Sequence, residues 1–367
     1  MPQELYYQVA LTQISQIGDV IAKRLIDHFG SASAVFAAKR SLLELAPEIG
    51  TMRAAAIRQF DNFARVEEEL RFIERYQIQP VFYGEPAYPQ RLYHCHDSPV
   101  LLYFKGSAVL NAPRMVSVIG TRSPSAYGKK MCEQLVHELA DTGVSIVSGL
   151  AYGVDVIAHK AALEVGLPTI GVLAHGLDRL YPAAHKAVAQ QMTAQGGLLT
   201  DYMSGTSPDK QHFPMRNRIV AGLSDATIVI ESGIKGGSLI TAGIAYSYNR
   251  DVLALPGRVG DTQAAGCLQL IKSQQATLIT SASDVVQLMG WDMATSAVKA
   301  PIQADLFVAL SDEEKHILSL FIEKAELHID EIYIRSGLPG SQVATAVLNL
   351  QMSHQLKCLP GQVFQRT

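Results

Sequence analysis

At 367 residues the chain is long enough for two or three folding units of roughly 100–200 residues each. Hydrophobic residues make up 48% and charged ones 18%, which supports a sizeable core and excludes disorder as the main state. A net charge of −3 with a pI near 6.4 excludes a broadly basic surface, so any polyanion site must be local. No apolar run approaches the ~20 residues that span a bilayer, and the N-terminus lacks a signal peptide's basic start, so the chain reads as cytoplasmic. Cys95, Cys132, Cys267 and Cys358 are scattered without a CxxC pair, so no disulfide framework, metal site or other cofactor is expected.

Residues 1–80 read as a small all-helical domain, because apolar residues recur there at three- and four-residue spacing with no strand signal. Gly18 falls in a short turn between two helices, and Gly30 follows Phe29 as a left-handed cap. This hairpin resembles the helix-hairpin-helix or SAM-like module, whose turn can offer backbone N–H groups to a phosphate. The first glycine of that turn is replaced here by Ser15 or Gln16. Nine Lys/Arg against ten Asp/Glu make no basic clamp, so a structural role is expected.

Residues 81–291 change character. Short β-branched runs, Val116-Ser-Val-Ile, Val144-Ser-Ile-Val, Thr169-Ile-Gly-Val-Leu, Gly197-Leu-Leu-Thr, Ala226-Thr-Ile-Val-Ile and Val252-Leu-Ala-Leu, alternate with helical stretches. Runs apolar on both faces belong to a buried parallel sheet, so the fold class is α/β, an extended Rossmann-like doubly wound, mostly parallel sheet. Residues 82–105 read as a connector with an added strand or two. Ligands in such sheets sit beyond the carboxyl ends of the strands. The loops there carry Gly120-Thr121-Arg122-Ser123, Gly149 with Tyr152 and Asp155, His175 to Asp178 running into Tyr181-Pro182, the glycine-rich Lys235-Gly236-Gly237-Ser238, and Pro256-Gly257-Arg258. Neither a Walker ending nor a full GxGxxG is present, which argues against an ATPase or a dinucleotide oxidoreductase. What remains is backbone N–H groups and helix starts aimed at phosphates, with Arg122, Lys235, Arg216 and Arg218 as counter-charges. One of the last two could instead pair internally with Asp225 or Glu231.

Four motifs, Ser117-Val-Ile-Gly-Thr-Arg, Ser148-Gly-Leu-Ala-Tyr-Gly-Val-Asp, Phe213-Pro-Met-Arg-Asn-Arg-Ile-Val-Ala-Gly-Leu-Ser and Gly236-Gly-Ser-Leu-Ile-Thr-Ala, resemble those of the DprA family of bacterial DNA-processing proteins, also called Smf. The resemblance covers the α/β domain and implies a non-catalytic protein that binds single-stranded DNA, protects it during natural transformation and helps load the RecA recombinase. It implies a groove formed by the Gly120-Thr121-Arg122 turn, Lys210, Phe213, Lys235 and Ser238. It also implies a homodimer through the far end of the domain, matching Leu268, Leu270, Ile271 and Leu278. Thr121 stands where relatives often have Ser.

The residues support a single-strand reading on their own terms. Cations can track the backbone, and Phe213, with Tyr127 or Tyr152, can stack on bases at roughly 1–3 kcal/mol each. Thirteen Lys/Arg against eleven Asp/Glu over residues 114–260 mean that placement, not bulk charge, must supply affinity. Asp155, His159, His175, Asp178 and Glu231 are the acid and base groups at the strand ends. They keep open an alternative, a nucleotide-binding or phosphoribohydrolase-like enzyme, although Gly233-Ile-Lys-Gly-Gly-Ser departs from the Pro-Gly-Gly-x-Gly-Thr of those enzymes. Residues 292–305 read as a linker. Ser311 then caps a helix, and residues 306–367 look like a winged helix with a terminal hairpin. Its recognition-type helix, from Ser341, lacks Lys and Arg between Gly340 and His354, which favours protein contact or a structural role over duplex reading.

Overall fold

The computed structural model describes residues 3–291, 310–322, 324–353 and 355–366; the expected linker at 292–305 lies outside them. The chain opens with six helices, α1 (Gln3–Thr12), α2 (Asp19–Phe29), α3 (Ala32–Ala37), α4 (Arg40–Leu45), α5 (Gly50–Arg58) and α6 (Phe63–Arg75). Their inward faces bury Leu11, Leu25, Leu43 and Val66 completely. Gly30 ends α2 at φ 84°, where its N–H reaches the Ile26 carbonyl, as the sequence suggests. Gln16 takes φ 68°, so a residue with a side chain occupies a left-handed turn position that favours glycine.

The central layer follows as β1 (Gln79–Phe82), α7 (Gln90–Tyr93), β2 (Leu101–Gly106), β3 (Met115–Ile119), α8 (Ala126–Glu138), β4 (Ser145–Ser148), α9 (Val154–Glu164), β5 (Thr169–Val172), α10 (Lys186–Gln195) and β6 (Gly197–Thr200). It continues through α11 (His212–Gly222), β7 (Ala226–Val229), α12 (Gly237–Ser247), β8 (Asp251–Ala254), α13 (Ala265–Lys272), β9 (Thr277–Leu278) and α14 (Ala282–Leu288). Among the described residues these strands form one nine-stranded sheet in the order β1-β2-β6-β5-β4-β3-β7-β8-β9. From β6 to β9 every pairing is parallel, with Val116 opposite Ile146 on one side and Ala226 on the other. The connector supplies the two antiparallel strands, β1 on β2 and β2 on β6. Strands β3, β4, β5 and β7 are buried throughout because helices cover both faces, which is why they read as unbroken apolar runs.

The last segment is a winged helix: α15 (Asp312–Leu320), β10 (Glu326–His328), α16 (Ile329–Ser336), α17 (Gly340–Met352), β11 (Leu356–Leu359) and β12 (Val363–Arg366). Ser311 and Glu314 form a reciprocal capping box at the start of α15. The β11–β12 turn docks on the amino-end edge of the parallel sheet, where Arg250 donates to the Pro360 carbonyl at 3.1 Å. Beside it the His94 and His328 rings stack at 5.1 Å. The β11–β12 turn is therefore engaged in a contact within the chain.

Candidate nucleic-acid interface

The strand order fixes where a ligand crevice opens. From β3 the chain winds outward through β4, β5 and β6, then returns to the other side of β3 as β7 and continues to β8 and β9. The switch point lies between β3 and β7, beyond their carboxyl ends. The two loops there are tied together. Thr121 N donates to the Glu231 carbonyl at 2.7 Å, and the Glu231 carboxylate accepts from Ser125 N at 2.7 Å and Ser125 Oγ at 2.6 Å. Ser125 Oγ also accepts from Gly128 N and so caps α8. Glu231 thus holds a helix start, not an arginine of the groove. The neighbouring β4–α9 loop closes against this turn through Gly153, at φ 79°, where any Cβ would overlap the Thr121 carbonyl.

On this frame Arg122 and Ser123 are exposed and Thr121 half-buried. The Arg122 guanidinium lies over the Phe213 ring, 5.7 Å from its centre, and Phe213 in turn packs on Tyr181 at 5.9 Å. Two sequence-distant loops and the start of α11 thereby build one cation-and-aromatic platform. The sequence alone does not single out Tyr181 as a stacking residue; its place in a strand-end loop is the signal it offers. Tyr152, exposed, meets His185 edge-on at 5.0 Å, while Tyr127 stands exposed on the first turn of α8.

Lys210 is exposed ahead of α11, and Lys235 is exposed ahead of α12. Helix α12 begins at Gly236 and Gly237 with no side-chain cap, and a Cβ on Gly237 would meet nothing within 4 Å. Free N–H groups at an open helix start suit an anion. Ser238 is buried, with its hydroxyl on Ser232 Oγ at 2.8 Å, so it braces the turn from inside.

Two expected counter-charges are not available to a ligand. Arg216 is 4% exposed and donates to the Gly149 carbonyl at 2.7 Å and to the Val172 carbonyl. Burial lowers its pKa, the Asp155 carboxylate opposing that effect. Gly149 has no side chain because the Arg216 guanidinium occupies the space of its Cβ. Arg218, 6% exposed, bridges Asp19 at 3.0 Å and Asp201 at 2.8 Å. Its partners are not the expected Asp225 or Glu231. Asp225 accepts from Arg91 at 2.6 and 2.9 Å and from Met115 N. Both arginines are internal ties, which two-residue spacing on a helix permits on different sides.

The acid and base groups are likewise engaged. Asp155 is buried, which raises its pKa, and accepts from Gly149 N at 3.1 Å and Ala151 N at 3.3 Å. His159 shares a 2.6 Å bond with Thr169 Oγ1, and burial pushes its pKa down to about 3. His175 bonds the Gly176 carbonyl and accepts from Tyr181 N, and Asp178 accepts from Gly205 N and Arg179. No group of three His, Cys, Asp or Glu among the described residues could hold a metal ion.

The expected dimer stripe divides. Leu270 belongs to the core with Cys267, Leu268 and Ile271 are half-buried, and only Leu278 is 47% exposed, on edge strand β9. In the helical module, Asp19 sits at the start of α2, accepts from Val100 N at 2.9 Å and pairs with Arg218. A phosphate at that turn would meet a carboxylate. No helix among the described residues is long and apolar enough to cross a membrane.

A doubly wound sheet extended by two antiparallel strands, with a winged helix docked on its amino-end edge, defines a Rossmann-type fold of the extended class. Residues 79–290 match the family model of DNA recombination-mediator protein A, and residues 301–362 match that of the DprA winged helix domain. The chain belongs to the DNA recombination-mediator protein A (DprA) family. It is 43% identical over 202 residues to the DNA processing protein DprA of Streptococcus pneumoniae, covering 55% of this chain and 71% of that one. It is 32% identical over 320 residues to Protein Smf of Escherichia coli, covering 85% and 83%. The X-ray structure of the S. pneumoniae protein superposes with a TM-score of 0.66 at 32% identity, over 78% of this chain and 98% of that one. A Helicobacter pylori DNA processing protein A, solved for its single-stranded DNA binding mode, superposes with a TM-score of 0.54 at 33% identity, over 59% of this chain and 97% of that one.

Proposed function

We propose that the protein is a sequence-independent, non-catalytic mediator that holds single-stranded DNA along the switch-point crevice and, as a homodimer, helps load the RecA recombinase on strands taken up in natural transformation. The observation that carries this reading is the Arg122–Phe213–Tyr181 platform beside the uncapped start of α12. A cation set on an aromatic face meets a sugar-phosphate backbone and a base together, which is what binding without sequence preference requires. Gly120, Thr121 and Ser123 shape the first turn, Lys210 flanks the platform, Lys235 supplies charge, and Gly237 opens α12 with a free N–H, while Gly236, its own N–H on the Gly233 carbonyl, sets the turn. The family's recombination-mediator description and the single-strand binding of the H. pylori relative agree with this assignment. The engagement of Asp155, His159, His175 and Glu231 in internal hydrogen bonds favours a binding role over the phosphoribohydrolase-like alternative.

The test is binding of labelled oligo-dT and its duplex at two salt concentrations, to wild type and to Arg122→Ala with Lys235→Ala. Salt-sensitive single-strand binding, weaker for duplex and lowered at least tenfold in the double variant, is expected. Undiminished binding by the variant would move the site elsewhere, and no binding by wild type would end the DNA reading.

A further inference from the structure

A cleft of about 530 Å3 opens between the α1–α2 turn of the helical module and the loop that follows β6. Its size lies within the roughly 300–1,000 Å3 of small-ligand sites. The cleft shares a helix with the crevice. Helix α11 sets Phe213 under Arg122, while Met215 and Arg218 line the cleft. Residues two apart on a helix point to nearly opposite sides, and a helix with its side chains is about 10 Å thick, so only the first turn of α11 separates the two spaces.

The lining selects by chemistry. Ile17, Val100, Leu101 and Met203 give an apolar floor, and Tyr202, whose ring packs on His212 at 4.5 Å, stands beside it. Asp19 and Asp201 share Arg218, and Arg65 is bonded to Glu69 and Ser204, so these charges are already paired. A phosphate would meet two carboxylates, and a cation would meet two guanidinium groups. A neutral planar ring needs no free counter-charge, and groups along its edge can bond the part-exposed Asp19 carboxylate and the Thr12 and Gln13 side chains that line the mouth. The Asp19 side chain, 32% exposed, leaves acceptor capacity in the wall.

We propose that this cleft is a base pocket, seating one nucleobase of the strand held at the crevice and making the helical module part of the DNA path. The assignment rests on the single-strand reading above. It gives the helix-hairpin-helix turn a role other than phosphate binding, because Asp19 already fills that place.

The experiment uses the full chain and oligo-dT carrying photoreactive 5-iodo-deoxyuridine. Crosslinks are expected at Met215 or Tyr202 in addition to Phe213 or Tyr181. Gly18 lines the mouth at φ −83°, and a Cβ added there would meet nothing within 4 Å, so Gly18→Phe can plug the cleft without backbone strain. The plug should abolish the cleft crosslinks, keep those at Phe213, and weaken long-strand binding about tenfold, the scale of one stacked base. Crosslinks at Phe213 or Tyr181 with none in the cleft would overturn the proposal and leave the crevice reading intact. Loss of all crosslinks and all binding in wild type would remove both. Saturable binding of free deoxynucleosides to Arg122→Ala, abolished by the plug, with no strand crosslink in the cleft, would overturn the strand assignment in favour of a soluble nucleotide. The wild-type crosslink pattern decides by itself if the plug disturbs folding.

Discussion

The two edges of the parallel sheet both carry arginines, and the arginines have opposite fates. At the amino edge Arg91 grips Asp225 with two bonds, and buried Arg250 donates to the carbonyls of Arg91 and Pro360. At the carboxyl edge Arg122 is exposed and rests on Phe213. The difference teaches that a guanidinium marks a ligand site only when its donors are still free. Arg216 and Arg218 show the same rule inside the carboxyl edge, since both are spent on carbonyls or carboxylates.

The sharpest way to break this comparison is Asp225→Ala. It leaves Arg91 unpaired and Met115 N without its side-chain acceptor, so urea denaturation should show a loss of about 3–5 kcal/mol. Single-strand affinity per folded molecule should not change. A loss under about 1 kcal/mol would place Arg91 among the weakly held surface charges.

Acid tests the same edge less severely. Burial, followed by His328, Lys324 and Arg250, pushes the His94 pKa down to about 4, with Glu331 opposing; burial lowers that of His328 as well. A histidine whose folded pKa lies below its unfolded value of ~6.5 costs stability as pH falls, because the unfolded or undocked chain takes up the proton first. Between pH 6.5 and 4 the winged helix should loosen from the sheet, by about 2 kcal/mol at pH 5 from His94. Limited proteolysis across that range should show it, and His94→Phe should flatten the response.

At the carboxyl edge, Arg122→Ala should leave stability within about 0.5 kcal/mol of wild type. It should weaken oligo-dT about tenfold and make the salt dependence shallower by about 0.7 in log–log slope, as expected for one lost phosphate contact. The smallest effect belongs to Gly237→Ala, where open space receives the methyl group. Stability should move by less than about 0.5 kcal/mol, and affinity should fall by a few-fold as backbone approach to the helix start is hindered.

The alternation of β-branched runs with helical stretches is enough to read the doubly wound sheet, and Ser311 and Gly30 mark helix ends correctly because caps are local. The loops of the candidate site are legible for the same reason: glycines follow β3, β4, β7 and β8, and Arg122, Lys235 and Arg258 follow three of them. Pairings between loops are not. Arg122 and Phe213 lie 91 positions apart, and no periodicity encodes their contact. Asp19 meets Arg218 across 199 positions, so a sequence reading naturally seeks nearer partners in Asp225 and Glu231. Leu270 is misassigned from sequence because a helix on a sheet and a helix in an interface share one apolar spacing.

The ties between the helical module and the rest of the chain also bear on the order of assembly during synthesis. The module's apolar cluster includes Val100, Leu101, Tyr103 and Met203, and its Asp19 and Glu69 find Arg218 and Ser204. The six helices therefore leave the ribosome before the surfaces that complete them exist. They must wait, half-covered, until β2 and the β6–α11 segment have been made. A part of the chain that emerges early is among the last to be sealed, and a nascent chain halted between β2 and β6 would carry an unsealed module that chaperones and proteases can recognise.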